Sequence, residues 1–211
     1  MAPMSSPELA LPAREMGGDA ALLARHGRPL LALARASIAW RLETGTPLPC
    51  DLGAHPPELR ETRAVFVTLA AAGQLRGCVG TPAAWRPLVE DVVDNAAAAA
   101  LKDRRFEPLA AAELARVAIA LSLLSAPTPL PARSEAELLD VLVPGRDGLI
   151  LSDGRLRAIF LPQVWEHLAE PRKFLGQLKL KAGLAEDHWS PRLAFQRFTS
   201  TTVAEPGAGH D

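Results

Sequence analysis

The segment LRGCVGT, residues 75–81, constrains the fold more than any other stretch because it sets strand-forming residues among glycines. An apolar run of strand type, residues 64–69, precedes it, and Ala72-Gly73 lies between the two as a turn signal. This order predicts an antiparallel hairpin over residues 64–81. An amphipathic pattern at residues 87–102 follows and predicts a helix.

The alternation of side chains along the second strand predicts which residues point to the core. Leu75 and Val79 are apolar and are expected together on the buried face. Arg76 and Cys78 are then expected side by side on the opposite face. The flanking glycines carry no side chain, so a ligand or another backbone can approach this strand closely.

The rest of the chain adds a second hairpin and further helices. The hairpin is predicted over residues 149–161 around Asp153-Gly154. A helix over residues 29–44 is expected to begin at its proline, and a last strand is expected over residues 192–202. Hairpins that alternate with helices predict an α+β fold, in which both hairpins belong to one mainly antiparallel sheet covered by the helices at 29–44 and 87–102.

Four blocks of sequence carry a family resemblance. In order along the chain they are LRGCVGT, RPLVEDVVDNAAAAALKDRRF, PGRDGLIL and FLPQVWEHL. Together they resemble the AMMECR family, also called component A of the AmmeMemoRadiSam system, from about Leu30 to Phe198. The resemblance implies a mixed α+β domain with an antiparallel sheet, flanking helices and a smaller lobe. It implies no particular reaction.

The domain boundaries follow from composition. Residues 1–18 are rich in Pro, Ser, Ala and Gly and are expected to form a disordered tail. Residues 19–204 are long enough for a single domain with a substantial core, and the resemblance implies one of AMMECR type. Residues 205–211 are expected to form a second disordered tail.

The charge and the cysteine count narrow the class of protein. The formal net charge is −1, which disfavours a general nucleic-acid binder. No apolar run approaches the roughly 20 residues of a membrane span, so no membrane partner is expected. Two cysteines cannot build a disulfide framework, and with no signal peptide in view they indicate cytosolic thiols. The predicted location is therefore the cytoplasm.

Cys78 is the candidate catalytic residue. A thiolate is a strong nucleophile, and a nearby cation favours it, a role that Arg76 would fill on the same strand face. The alternative is a small buried cysteine that only fills space. The five histidines lie far from Cys78 in the chain, so no base partner is predicted.

A second candidate is an anion pocket beside the same strand. Gly77 and Gly80 expose backbone N–H groups, and the helix that begins near Pro87 would present its positive end. Arg76 and Arg86 flank this region and complete the predicted pocket. The alternative is that the glycines serve sheet packing and the arginines are solvated.

The other blocks contribute two ligand-binding candidates and one structural pair. Turn geometry explains the glycines and the aspartate of residues 144–148 but leaves Arg146 as a ligand-binding candidate. Gln163 is the polar exception in an apolar block and is expected to line a cleft. Asp103 and Arg105 are interpreted as a structural pair that ends the helix before them.

The chain departs from the family pattern at Lys179. The resemblance implies a cysteine at this position in many relatives, so Cys78 would act without a second thiol there.

Two functions remain open at the level of sequence. By resemblance, the chain is an enzyme component that works with a Memo-type protein and a radical SAM protein and binds a small or anionic ligand at the face of Arg76 and Cys78. The alternative is a non-catalytic scaffold that docks those two partners. The sequence assigns no cofactor, and it predicts no metal site because neither cysteines nor histidines show ligand spacing.

Overall fold

The structure is a computed structural model that describes residues 18–207. Of the two predicted tails, residues 1–17 and 208–211 lie outside the described residues. The elements in chain order are α1 (Gly18–Thr44), β1 (Ala64–Ala71), β2 (Gln74–Gly80), α2 (Leu88–Leu101), β3 (Val117–Leu124), β4 (Thr128–Pro129), α3 (Glu135–Val141), β5 (Gly148–Asp153), β6 (Leu156–Phe160), α4 (Pro171–Lys181), β7 (Leu193–Phe198) and β8 (Ser200–Ala204). Short 3-10 helices connect several of them, including Ala111–Arg116 and Pro162–Glu166.

The strands form two antiparallel sheets of four strands each. The first has the order β2-β1-β3-β8 and the second β4-β7-β5-β6. The α+β class with antiparallel pairing is therefore confirmed. The expectation that both hairpins share one sheet is wrong, because β1 and β2 lie in the first sheet whereas β5 and β6 lie in the second.

Two main cores follow from the two sheets. In the first, α1 and α2 cover one face of the first sheet, and apolar residues such as Ile38, Val67, Val92 and Leu121 are almost completely buried there. In the second, α3 and α4 pack on the second sheet around Phe174, whose ring stacks on Trp165. The helices predicted over 29–44 and 87–102 thus cover the first sheet alone.

Helix α1 runs through Pro29 instead of beginning there. Pro29 is exposed, so the backbone carbonyl that loses its helical N–H partner can bond to water. Leu22 and Leu23, before the proline, are buried and extend the apolar face of the helix. Tertiary packing on the first sheet therefore outweighs the local preference for a break.

The predicted last strand over residues 192–202 divides into two. β7 pairs with β5 in the second sheet, and β8 pairs with β3 in the first, with only Thr199 between them. A small third core forms where the sheets meet, from Ala64, Leu124, Ile150 and Phe198. This crossing brings the uncovered face of the first sheet opposite β6.

The chain just past β8 is held against α1. Glu205, which the sequence assigns to the tail, accepts hydrogen bonds from the Arg35 guanidinium and, at 2.9 Å, from the backbone N–H of Ile119. Within residues 18–207, no helix is both long and apolar enough to cross a membrane.

Candidate functional site

An open cleft of about 1510 Å³ lies between the uncovered face of the first sheet and the β6 side of the second sheet. Side chains of β1, β2, β3 and β8 form one wall, among them Phe66, Thr68, Cys78, Ser122 and Thr202. The opposite wall comes from β6, the 3-10 helix after it and the end of α4, including Phe160, Gln163, His167 and Lys181. Asp103, Arg105 and Arg146 lie at its edges.

Cys78 lies on the first wall and is partly buried. The hydroxyl of Thr68, its partner across the β1–β2 pair, donates to the Cys78 sulfur over 3.3 Å. The backbone N–H of Cys78 donates to Oδ2 of Asp103 over 2.8 Å. Cys78 is therefore an accessible thiol on a strand whose backbone is held in place from the loop after α2.

The structure corrects the predicted strand faces. Leu69 pairs with Gly77 and Ala70 with Leu75, so a bulge leaves Arg76 without a partner across the strands. Leu75 consequently lines the cleft with Cys78, whereas Arg76 does not. The Arg76 guanidinium instead forms an ion pair with Glu113, over 3.2 Å, in the 3-10 helix before β3.

Arg105 is the cation beside Cys78. Its guanidinium bonds to both carboxylate oxygens of Asp103, over 3.0 and 2.7 Å, and its Nη2 lies 3.4 Å from the Cys78 carbonyl oxygen. The predicted pair of Asp103 and Arg105 thus forms, but at the cleft edge. Hydrogen bonds from Arg105 and from the Cys78 backbone hold the pKa of the Asp103 carboxyl well below its usual range, against the opposing effect of burial.

Lys181, the last residue of α4, is a further cation of the cleft. The sequence alone does not single it out. Its Nζ donates to the backbone carbonyl of Ile159 over 2.9 Å and lies 5.1 Å from the centroid of the Phe160 ring. Lys181 is exposed, yet its partial burial against the cleft wall lowers its pKa, and the nearby charge of Arg105 adds to this effect. Only the fold reveals it, because Arg105 and Lys181 are 76 residues apart in the chain.

The structure does not bring the members of the predicted anion pocket together. Gly77 packs under α2, where a Cβ would collide with the carbonyl oxygen of Ala99, and Gly80 packs against the Phe66 ring. Arg86 is bonded to Asp91, over 2.7 Å, and to Asp94, both in α2.

Arg86 forms a buried ion pair with Asp91 and does not line the cleft. The Asp91 side chain is almost completely buried, and burial raises its pKa although Arg86 and the backbone N–H of Val65 oppose the shift. The pair ties the start of α2 to the first sheet. The glycines and Arg86 therefore have packing roles that account for them.

Arg146 and Gln163 do line the cleft with Cys78. Arg146 is exposed, and its Nε donates to the buried carboxylate of Asp147 over 2.9 Å. The amide nitrogen of Gln163 lies 3.5 Å from the hydroxyls of Ser122 and Ser200, at the limit of a hydrogen bond. Gln163 thus reaches from the 3-10 helix after β6 to the strands β3 and β8 of the first sheet.

Lys179, where the family resemblance leads us to expect a cysteine, does not line the cleft. Its Nζ is fully buried and donates to Glu135 over 2.6 Å and to the backbone carbonyl of Glu186 over 2.9 Å. A cysteine at this position would lie inside the second core and away from Cys78. Across residues 18–207, no three His, Cys, Asp or Glu side chains converge as metal ligands.

Comparisons with known proteins give one consistent result. A family model described as AMMECR1 matches residues 31–203. A protein of Thermofilum pendens is 40% identical over 185 residues, covering 80% of this chain and 84% of that protein. A protein of Methanothermobacter thermautotrophicus is 37% identical over 188 residues, covering 86% and 95% respectively. The crystal structure of an uncharacterised protein from Pyrococcus horikoshii matches with a TM-score of 0.79 at 33% identity, covering 85% of this chain and 91% of that one.

Proposed function

The chain belongs to the AMMECR1 family, and we propose that it is an enzyme component that binds a small anionic ligand in the cleft against the thiol of Cys78. One observation carries the proposal: Cys78, Arg105 and Lys181 come from three separate elements and line the same open cleft. A thiol, two cations and a concave wall are a typical setting for covalent or binding chemistry on an anion.

The cations keep donors available for a ligand. Arg105 uses Nε and Nη2 on Asp103 and Cys78, and in the described part of the chain its Nη1 has no hydrogen-bond partner. Lys181 uses one of its three donors on Ile159, and no carboxylate among residues 18–207 pairs with it. A carboxylate or phosphate is the ligand group that fits two such donors.

The proposed role of Cys78 is attack on the bound ligand or covalent attachment of it. The thiol is accessible from the cleft, and the Arg105 charge lies on the same strand edge. A cation beside the thiol can hold the anionic group of a ligand next to the sulfur. This proposal replaces Arg76 with Arg105 as the cation that supports Cys78.

The proposed partners are a Memo-type protein and a radical SAM protein, and the proposed location is the cytoplasm. The family resemblance supports the partners, and the composition supports the location. The alternative role, a scaffold that docks those partners, is favoured by Trp85, which is 63% exposed beside the Arg86 guanidinium. Large exposed aromatic residues often mark protein interfaces.

Protection of Cys78 by inorganic phosphate tests the proposed function. Iodoacetamide alkylates both cysteines of the chain, and peptide mass spectrometry follows each separately. We expect phosphate to slow alkylation of Cys78 and to leave Cys50 unaffected, because Cys50 lies among Asp51, Glu90 and Asp94. Equal alkylation of Cys78 with and without phosphate would contradict anion binding in the cleft and favour the scaffold role.

A further inference from the structure

The cleft is larger than the anionic group proposed for it. Its volume of about 1510 Å³ exceeds the roughly 300–1,000 Å³ of typical small-molecule sites. An ion of the size of inorganic phosphate, bound against Cys78, would leave most of this volume empty. The shape of the remaining space therefore indicates what else the ligand carries.

The floor of the cleft is a shelf of short side chains on the first sheet. One row of cleft-lining residues crosses all four strands in register, through Cys78, Thr68, Ala120 and Ala204. Neighbouring strands are about 4.8 Å apart, so this row is about 14 Å wide. None of its side chains is larger than threonine. A flat ring can therefore lie on the shelf and contact it along one whole face.

The end of the cleft nearest the contact between the two sheets is apolar. Phe66 lies two residues before Thr68, on the same face of β1, and lines the cleft. Ile159 and Leu161 line the opposite wall, and all three apolar side chains pack on the small third core. A ring on the shelf can thus remove its apolar surface from water against these side chains.

The Arg105 guanidinium lies at the Cys78 end of the shelf, where its Nη2 is 3.4 Å from the Cys78 carbonyl oxygen. Lys181 lines the opposite wall. Within residues 18–207, Nη1 of Arg105 and two of the three Lys181 donors have no hydrogen-bond partner. These N–H groups outnumber the two oxygens of a carboxylate and suit the three terminal oxygens of a phosphate ester.

We propose that the ligand of the cleft is a phosphate ester of a flat aromatic ring. The phosphate binds between Arg105 and Lys181, and the ring lies on the shelf over Thr68 and Ala120. Both cations act in their ordinary charged forms. The inference rests on the anion-binding function proposed above and adds the class of ligand.

Protection of Cys78 from iodoacetamide by two phosphate esters of equal charge tests this inference on the intact protein. Naphthyl phosphate carries a flat aromatic ring, whereas glycerol phosphate carries a flexible polar chain. Peptide mass spectrometry measures the alkylation of Cys78 and Cys50 over a range of ester concentrations. Cys50 does not line the cleft and is the internal control for nonspecific effects.

We expect naphthyl phosphate to protect Cys78 at about tenfold lower concentration than glycerol phosphate, because an aromatic ring packed against side chains contributes about this factor. Ala120→Leu fills the middle of the shelf and should largely remove the preference. Ala194→Leu, at an exposed position of β7 outside the cleft, should retain it. Thermal unfolding checks that each variant folds. Ala204→Leu, at the exposed end of the same row, repeats the test if Ala120→Leu is unstable.

Equal protection by the two esters would overturn the inference, and so would a preference that Ala120→Leu and Ala204→Leu both leave unchanged. The outcome is separable from that of the proposed function. If the two esters protect Cys78 equally well, the anion site stands and the aromatic ligand is wrong. If neither ester nor inorganic phosphate protects Cys78, both proposals fail.

Discussion

Asp103 accepts hydrogen bonds from the backbone N–H of Cys78 and from the Arg105 guanidinium, so one carboxylate positions both residues. Its side chain is 7% exposed, and its contact with Cys78 fixes the loop after α2 against the edge of β2. Asp103 is therefore a positioning residue for the cleft. The negative charge of Asp103 strengthens its hold on Arg105, because hydrogen bonds between a carboxylate and a guanidinium are charge-assisted.

Replacement of Asp103 by Asn should destabilise the protein by about 1.5–3 kcal/mol at neutral pH, the usual contribution of hydrogen bonds to a charged group. The pKa of Asp103 is lower in the folded than in the unfolded state. Its contribution is therefore complete above about pH 4, the unfolded value, and is lost as pH falls through the folded pKa. Denaturant unfolding between about pH 7 and pH 2 should show a shallower acid loss for Asp103→Asn. Parallel pH profiles for variant and wild type would contradict the account.

At the residue scale, sequence reasoning singles out three residues that the fold places around one cleft. Cys78, Arg146 and Gln163 were predicted and line one cleft. Simple alternation places Arg76 on the wrong strand face because it cannot anticipate a bulge. Arg105 was visible only as a local partner of Asp103, since its contact with Cys78 depends on how the loop after α2 folds back over β2.

Among the elements, the contact between β2 and α2 depends on Gly77. Its position faces the backbone of α2 so closely that a Cβ would meet the carbonyl oxygen of Ala99. Backbone atoms cannot move aside as the end of a flexible side chain can. Gly77 therefore sets the distance at which the helix packs on the sheet.

Gly77→Ala should cost about 3 kcal/mol or more, because the collision forces the helix away from the strand. Gly73→Ala is the matched control: Gly73 has a φ of +76° and open space around it, so its replacement should cost only about 1–2 kcal/mol of backbone strain. Denaturant unfolding of both variants provides the comparison. If Gly77→Ala costs no more than Gly73→Ala, close packing does not explain the glycine.

Most elements were predictable from local patterns, and the exceptions have a common cause. The hairpins over residues 64–81 and 149–161 and the helix α2 agree with periodicity and turn signals. Local patterns do not predict the continuous α1 or the division of residues 192–202 into β7 and β8. In both cases distant packing decides, through buried residues before Pro29 and through pairing with two different sheets.

At the scale of the whole molecule, the cleft exists because two sheets share one crossing segment. Phe198, at the end of β7, is 2% exposed and lies in the small core where the sheets meet. Gly148 pairs with it in the second sheet, and a Cβ at Gly148 would collide with the Phe198 ring. The Phe198 ring thus fills the small core between the two sheets, and this core holds the two walls of the cleft together.

Phe198→Ala should lower the free energy of unfolding by about 3–5 kcal/mol, the usual cost of removing a fully buried ring. Phe198→Leu keeps most of the apolar volume and should cost less. Guanidinium unfolding measures both. Surface substitutions and small repackings cost less than about 1 kcal/mol. A loss in that range for Phe198→Ala would show that the contact between the two sheets does not depend on this ring.

The most direct test of the proposed anion binding in the cleft compares iodoacetate with iodoacetamide at both cysteines, since the two reagents are similar in size and differ in charge. Burial raises the pKa of Cys50, and the carboxylates of Glu90, Asp51 and Asp94 add to the shift and repel an anion. The account predicts an iodoacetate-to-iodoacetamide rate ratio at Cys78 about fivefold or more above that at Cys50, the factor for roughly 1 kcal/mol of charge attraction. Arg105→Gln should reduce this ratio and Arg76→Gln should leave it unchanged. Equal ratios at the two cysteines, or a reduction by Arg76→Gln alone, would contradict the account.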